Sequence, residues 1–170
     1  MRDLLRYILL FLLILFIQVF IVRHVEIGMG TQLFLLPLYI IILPFRINVF
    51  MLMILAFILG ILYDTITNSY GLNASALIFV AFLRPIIFDV FHPKEGYDVL
   101  KVPTVSDMGW RWFFFTYTTI ILLHNTWFFV FEIFRITEWL LIIRNIFTSL
   151  IFSLAIALML NLFLFVRKNS

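Results

Sequence analysis

Residues that could do chemistry are few in this chain and widely spread. His24, His92 and His124 are far apart, and no pair has metal-ligand spacing. The helical zinc pattern H-E-x-x-H is absent. There is no cysteine, so disulfides, thiolate nucleophiles and cysteine metal sites are excluded. General acid–base work needs two titratable groups within reach of one proton. Asp64 and Asp89 fall at opposite ends of neighbouring apolar runs, and about 30 Å of membrane would separate them. Glu132 and Glu138 fall on the side of Asp64, at no spacing that would bring them together. No glycine-rich phosphate loop, serine nucleophile elbow or aspartate-rich phosphotransfer motif is visible. The expectation is a protein that is not an enzyme, with no catalytic residue, metal or cofactor.

The remaining polar groups lie on helical faces. Thr118, Asn125 and Glu132 repeat every seven residues and share one face, with Tyr117 and His124 on the adjacent one. In a membrane such groups face other helices or a cavity. Interhelix hydrogen bonding is the plainer reading and a ligand site the alternative, with His124 the best single candidate. Asn145, Ser149, Ser153, Ala157 and Asn161 form an i, i+4 ridge, and Ala56, Gly60 and Asp64 a shorter one. Small residues at that spacing let another backbone approach closely. The spacing leaves open whether the partner is internal or another subunit, a second copy included. Arg84 precedes Pro85, which disfavours helix at the residue before it. The fourth apolar run, 72–91, is interrupted there; its membrane helix is expected to end near Leu83, with Arg84 in the headgroups and Asp89 facing water, and a buried functional arginine is the alternative.

The elements that position these residues follow from composition. The 170 residues are 65% hydrophobic and 12% charged, with mean hydropathy +1.17. A soluble core of this length could not hide so much apolar surface. The bilayer is then the solvent, and the backbone must be helical or a closed barrel. Runs such as LLRYILLFLLILFIQVFIV do not alternate as barrel strands do. The prediction is an all-α, polytopic membrane protein, one domain over 1–170, with six spans. These are 4–22, 29–45, 47–63, 72–91, 112–131 and 145–166, with a hydrophilic loop at 92–111. The first run lacks a small-residue cleavage site and reads as a retained span. Span two is the weakest, because it holds Pro37, Pro44, Thr31 and Gln32; a re-entrant or strongly kinked segment is the rival.

Basic residues test the span count. With both termini inside, the inner side carries Arg2, Arg6, Arg46, Lys94, Lys101, Arg111, Arg167 and Lys168, and the outer loops only Arg23 and Arg135. Without span two, Arg2 and Arg6 would oppose Lys94 and Lys101. The net charge of +3 is thereby read as topological rather than as a sign of nucleic-acid binding. No stretch of this sequence is long and polar enough for a soluble catalytic, receptor or nucleotide-binding domain.

One stretch carries more than hydropathy. AFILGILYDTITNSYGLNASALIFVAFL (Ala56–Leu83) resembles the rod shape-determining protein MreD family. That family has a glycine-bearing span ending in aspartate, a short Gly/Ser-rich turn, and a G-[LM] pair opening a span rich in small residues. The matching positions are Gly60, Leu62, Asp64, Gly71, Leu72, Ala74 and Ala76. Asn73 stands where many members have histidine, which counts against proton transfer there. AFLRP followed by Pro93, Glu95, Gly96 and Tyr97 looks like the Bacteroidetes-type branch. The specific match covers about a third of the chain.

The resemblance implies a non-enzymatic scaffold of the cell-elongation complex, in the bacterial inner membrane with both termini cytoplasmic, supporting cell shape and peptidoglycan synthesis. It implies association with MreC, and through it with the MreB filament, the RodA glycosyltransferase and its partner transpeptidase. It also implies a fold like the substrate-binding subunits (S-components) of energy-coupling-factor vitamin transporters. Asp64, Gly60 and Gly71 would define the family's structure, with Asp64 capping or hydrogen-bonding the turn. The rival function is a vitamin-binding transporter subunit. It needs an outer pocket that Asn125, Glu132, Trp127 and Trp139 could line.

Overall fold

The computed structural model describes residues 2–25, 31–93, 96–97 and 102–165, and every regular element among them is helical. Lys94, Glu95, Lys101, Arg167, Lys168 and the predicted start of span two at Met29 lie outside the described residues. Helix α1 (Arg2–Phe20) ends in a 3-10 turn (Val22–His24). A non-helical stretch, 31–35, leads into the short α2 (Leu36–Ile42). Helices α3 (Val49–Thr67) and α4 (Leu72–Val90) form a hairpin. The single-turn α5 (Val105–Met108) precedes α6 (Trp110–Ile133), and a second 3-10 turn (Ile136–Glu138) opens α7 (Trp139–Phe165). Among the described residues five helices, α1, α3, α4, α6 and α7, are long and apolar enough to cross a membrane. The chain is thus an all-α protein of the multi-pass membrane type.

Its burial pattern suits a lipid solvent. Phe50, Phe82, Phe115, Leu140 and Phe163 are more than half exposed, where water would penalise them and acyl chains do not. Half of α4 and of α6 is buried, against 28–33% of the other three long helices, and every residue of α2 is buried, so these three form the interior.

Helix direction follows from contacts. Gln18 Nε2 donates to Tyr63 OH and Arg23 Nη1 donates to Ile66 O, both at 3.3 Å. Helices α1 and α3 therefore end on one face of the bundle, here called the hairpin face. Two successive long helices running the same way require a return between them. Residues 31–45 provide it. Gln32 Nε2 donates to Glu132 Oε1 (2.5 Å) at the last turn of α6, while the Phe45 ring meets Trp112 at its first turn (6.0 Å between centroids). Those two positions on α6 are about 30 Å apart at 1.5 Å per residue.

This return is not the continuous helix expected over 29–45. Proline is the reason at its first break. A helix through Pro37 would leave the carbonyl of Leu33 without its i+4 donor. The chain stays non-helical up to Leu35, and Leu33 O accepts instead from Gln18 Nε2 (2.8 Å). Pro37 then sits in the first turn of α2, where a missing N–H costs nothing.

The expected end of span four near Leu83 is also corrected. Helix α4 continues to Val90 with Pro85 inside it. Arg84 is not in the headgroups but 3% exposed. Its guanidinium donates to the carbonyls of Ile41 (3.2 Å), Leu43 and Pro44 (3.3 Å), and lies 4.4 Å from the centre of the Phe88 ring. The end of α2 leaves carbonyls bare at the negative pole of the helix, and inside a bundle only a side chain can answer them. That demand outweighs the local preference for a break before proline. Asp89 is exposed, as expected. Other ends move outward: α3 runs to Thr67 rather than Tyr63, and α7 starts at Trp139 rather than Asn145.

Candidate functional site

The α3–α4 hairpin gathers the polar residues of the family-like stretch. Asp64 lies one turn before the end of α3 and is 3% exposed. Its Oδ1 accepts from the backbone N–H (3.2 Å) and Nδ2 (2.8 Å) of Asn73, and its Oδ2 from the N–H of Ala74 (2.8 Å). These are first-turn amides of α4, orphan donors at the positive pole of a helix. Asp64 is therefore a cap supplied by the neighbouring helix.

Close approach makes this reach possible. A Cβ on Gly60 would lie 2.3 Å from Ala74 Cα, so α3 and α4 touch backbone to backbone. Gly71 has room around it but φ of +87°, so it is glycine for conformation. Asn68 (φ 57°) and Tyr70 (φ 52°) are also left-handed. Leu72 closes the turn by donating its N–H to Ser69 O (3.1 Å). Ala56, fully buried, continues the Gly60–Asp64 face.

The α7 ridge turns inward over its whole length. Asn145, Ser149, Ser153, Ala157 and Asn161 are all buried. Ser149 Oγ accepts from Gln32 N (3.2 Å), Ser153 Oγ from Phe34 N (2.8 Å) and Asn161 Oδ1 from Val105 N (3.0 Å). The first two of these contacts, with Gln18, hold the non-helical stretch at 31–35. Gln18 Oε1 accepts from Leu35 N (2.6 Å) while its Nε2 serves Leu33 O. Sequence reasoning missed Gln18, although a lone glutamine within the apolar run of α1 was the available signal.

The polar groups of α6 do not form one constellation. Asn125, with its amide turned as its neighbours require, donates to Ile121 O (3.2 Å) and accepts from Leu150 N of α7 (3.2 Å), and Glu132 faces Gln32. His124 is fully buried between Phe34, edge-on at 4.8 Å, and Phe128, parallel at 6.5 Å. Neither of its ring nitrogens has a hydrogen-bond partner, nor do Thr116 Oγ1, Tyr117 OH or Thr118 Oγ1. Among the described residues no three His, Asp or Glu side chains converge as a metal site would need.

Three open spaces meet the hairpin face, one of them, of about 320 Å³, being lined by Tyr70, Gly71, Ser75 and Trp127. A cavity of about 430 Å³ lies between the end of α1, the non-helical stretch, the hairpin turn and the end of α6. Arg23, Gln32, Tyr63, Thr67 and Glu132 are among its walls. Of the four residues proposed for an outer pocket only Glu132 lines it. Asn125 turns to α7, Trp127 stacks on Phe79 (4.3 Å) and donates to Ser75 Oγ (3.2 Å), and Trp139 is exposed. An apolar groove of about 540 Å³ runs along the outer face of the end of α1, with Ile66 the α3 residue in its wall. Comparison with protein-family models, with curated proteins and with solved structures returned no match.

Proposed function

We propose that this chain is a non-enzymatic membrane scaffold of the MreD kind, acting in cell elongation by packing against MreC. The observation that carries the reading is the closed hairpin lock. Both oxygens of the Asp64 carboxylate are engaged, and the group is out of reach of solvent. A motif used up in this way favours shape over chemistry. In this reading residues 31–45 are a sixth crossing, helical only over α2, giving the arrangement expected of an S-component-like fold. Arg6, Arg46 and Arg111 then lie at the cytoplasmic face of a bacterial inner membrane and Arg23 and Arg135 at the outer face, in line with the positive-inside rule. Because the α7 ridge is used internally, contact with MreC falls to an outward apolar face such as Phe50, Ile54 and Phe57 of α3. MreB, RodA and its transpeptidase partner would be reached through MreC.

The test is recovery of partners with the tagged protein in mild detergent. MreC without a bound metabolite is the expected result. An ATPase pair, or a stoichiometric vitamin, would replace the scaffold by the transporter-subunit reading. The 430 Å³ cavity is the one observation that favours that second reading, being within the usual range for small-molecule sites.

A further inference from the structure

Arg23 stands between two of these open spaces, the polar cavity and the apolar groove. It edges the outer groove, whose walls are Leu12, Leu15, Phe16, Val19, Phe20 and Ile66, with His24 beside it at the rim. It also lines the polar cavity, which has Glu132 in its wall. Among the described residues neither Arg23 nor Glu132 is in an ion pair; the hydrogen bonds they make are to Ile66 O and from Gln32 Nε2. One positive and one negative group thus border the same cavity, and the positive one also tops an apolar groove in the lipid plane.

An occupant of both spaces needs a fixed order of parts. It must be apolar along α1, anionic at Arg23, and able to donate a charged hydrogen bond toward Glu132. A partner helix could fill the groove but would leave the cavity charges unanswered. We propose that this is a phospholipid site specific for a primary-amine headgroup. One acyl chain lies in the groove along α1, the phosphate sits at Arg23, and the ammonium reaches toward Glu132. A trimethylammonium headgroup fits less well, because it has no N–H to give the carboxylate. A glycerol headgroup offers no cation. The inference does not depend on the scaffold reading, since it concerns only what the bundle binds from its own leaflet.

The test titrates the purified, delipidated protein with dioctanoyl phosphatidylethanolamine, phosphatidylcholine and phosphatidylglycerol, reading bound lipid by native mass spectrometry. The ethanolamine lipid is expected to bind about tenfold more tightly than the choline lipid, as one charge-assisted hydrogen bond gives. Glu132→Gln should bring that ratio close to one while leaving the phosphatidylglycerol affinity unchanged or raised. Arg23→Gln should weaken all three, and Arg23→Lys should restore most of the loss. Thermal unfolding of each variant near the wild-type temperature shows that the fold persists. Equal binding of the three lipids overturns the proposal, as does an ethanolamine preference that survives Glu132→Gln. Free phosphoethanolamine binding as tightly as the lipid would overturn it too, because the groove would then contribute nothing.

Discussion

Replacing Asp64 by alanine removes three hydrogen bonds at once and leaves three donors without an acceptor. These are the backbone N–H groups of Asn73 and Ala74 and the amide of Asn73. The site is 3% exposed, and Gly60 holds α3 against Ala74, so water has little room to enter. A buried donor left unpaired costs about 1–3 kcal/mol. Loss of a helix cap alone costs about 0.5–2 kcal/mol. Polar contacts in membrane bundles run lower, averaging about 0.6 kcal/mol, because the inserted unfolded state finds other partners. Together these place Asp64→Ala at about 2–4 kcal/mol. Asp64→Asn keeps one acceptor oxygen but turns an NH2 group toward donors, so its cost should fall at about half that. The assay is reversible unfolding in mixed micelles, with the hairpin followed by an environment-sensitive label at Tyr70, which is 98% exposed. The expected order of stability is wild type, then Asp64→Asn, then Asp64→Ala. An alanine variant within about 0.5 kcal/mol of wild type, below the cost of even one lost cap, would refute the view that Asp64 locks the hairpin.

Other substitutions separate the devices that hold the fold. Gly60→Val should cost more than Gly71→Ala, because the first meets backbone at 2.3 Å and the second only a positive φ; thermal shift of the two variants in one detergent checks the order. Gln18→Leu leaves Leu33 O and Leu35 N unpaired and should lower stability by about 2 kcal/mol, whereas Gln18→Glu can serve both only as the neutral acid, since the ionised carboxylate would be buried against Leu33 O. His124→Leu should leave the unfolding temperature unchanged or raise it, since the ring has no hydrogen bond to lose; a marked fall would mean that the imidazole has a polar partner. Arg84→Leu should be strongly destabilising, leaving three carbonyls unanswered, and Arg84→Lys partly so, because lysine keeps the charge and three donors but loses the planar guanidinium over Phe88.

How far the sequence speaks depends on whether a feature is local. Gly60, Asp64 and Gly71 stand out within an apolar run, and spacing alone put Gly60 and Asp64 on one face. The α7 ridge was equally visible, because i, i+4 periodicity is a property of one helix. Its partner was not visible, because periodicity names a face and never the neighbour across from it. Ser149 and Ser153 looked like small residues for helix contact. They serve as acceptors for a stretch that is not helical at all. Arg84 shows the opposite failure. The rule about residues before proline is local and was applied correctly, yet the bare carbonyls of α2 lie more than forty positions earlier in the chain and outweigh it.

The broken return and the parallel course of α1 and α3 are one problem in physical terms. Helices that finish on the same face force the intervening chain back through the bundle, and two prolines stop that chain from being one helix. Away from water, each amide and carbonyl outside a helix needs a partner. Gln18 answers the middle of the non-helical stretch from one side, Ser149 and Ser153 answer its amides from the other, and Arg84 answers the carbonyls where α2 stops. Three different helices therefore depend on the return for the use of their buried polar groups. Gln18→Leu and Ser153→Ala both strip partners from residues 33–35, so their costs should combine by less than their sum once the stretch has come loose. A double variant whose cost equals the sum of the singles would mean that the stretch is held residue by residue, and that the bundle does not depend on it as a unit.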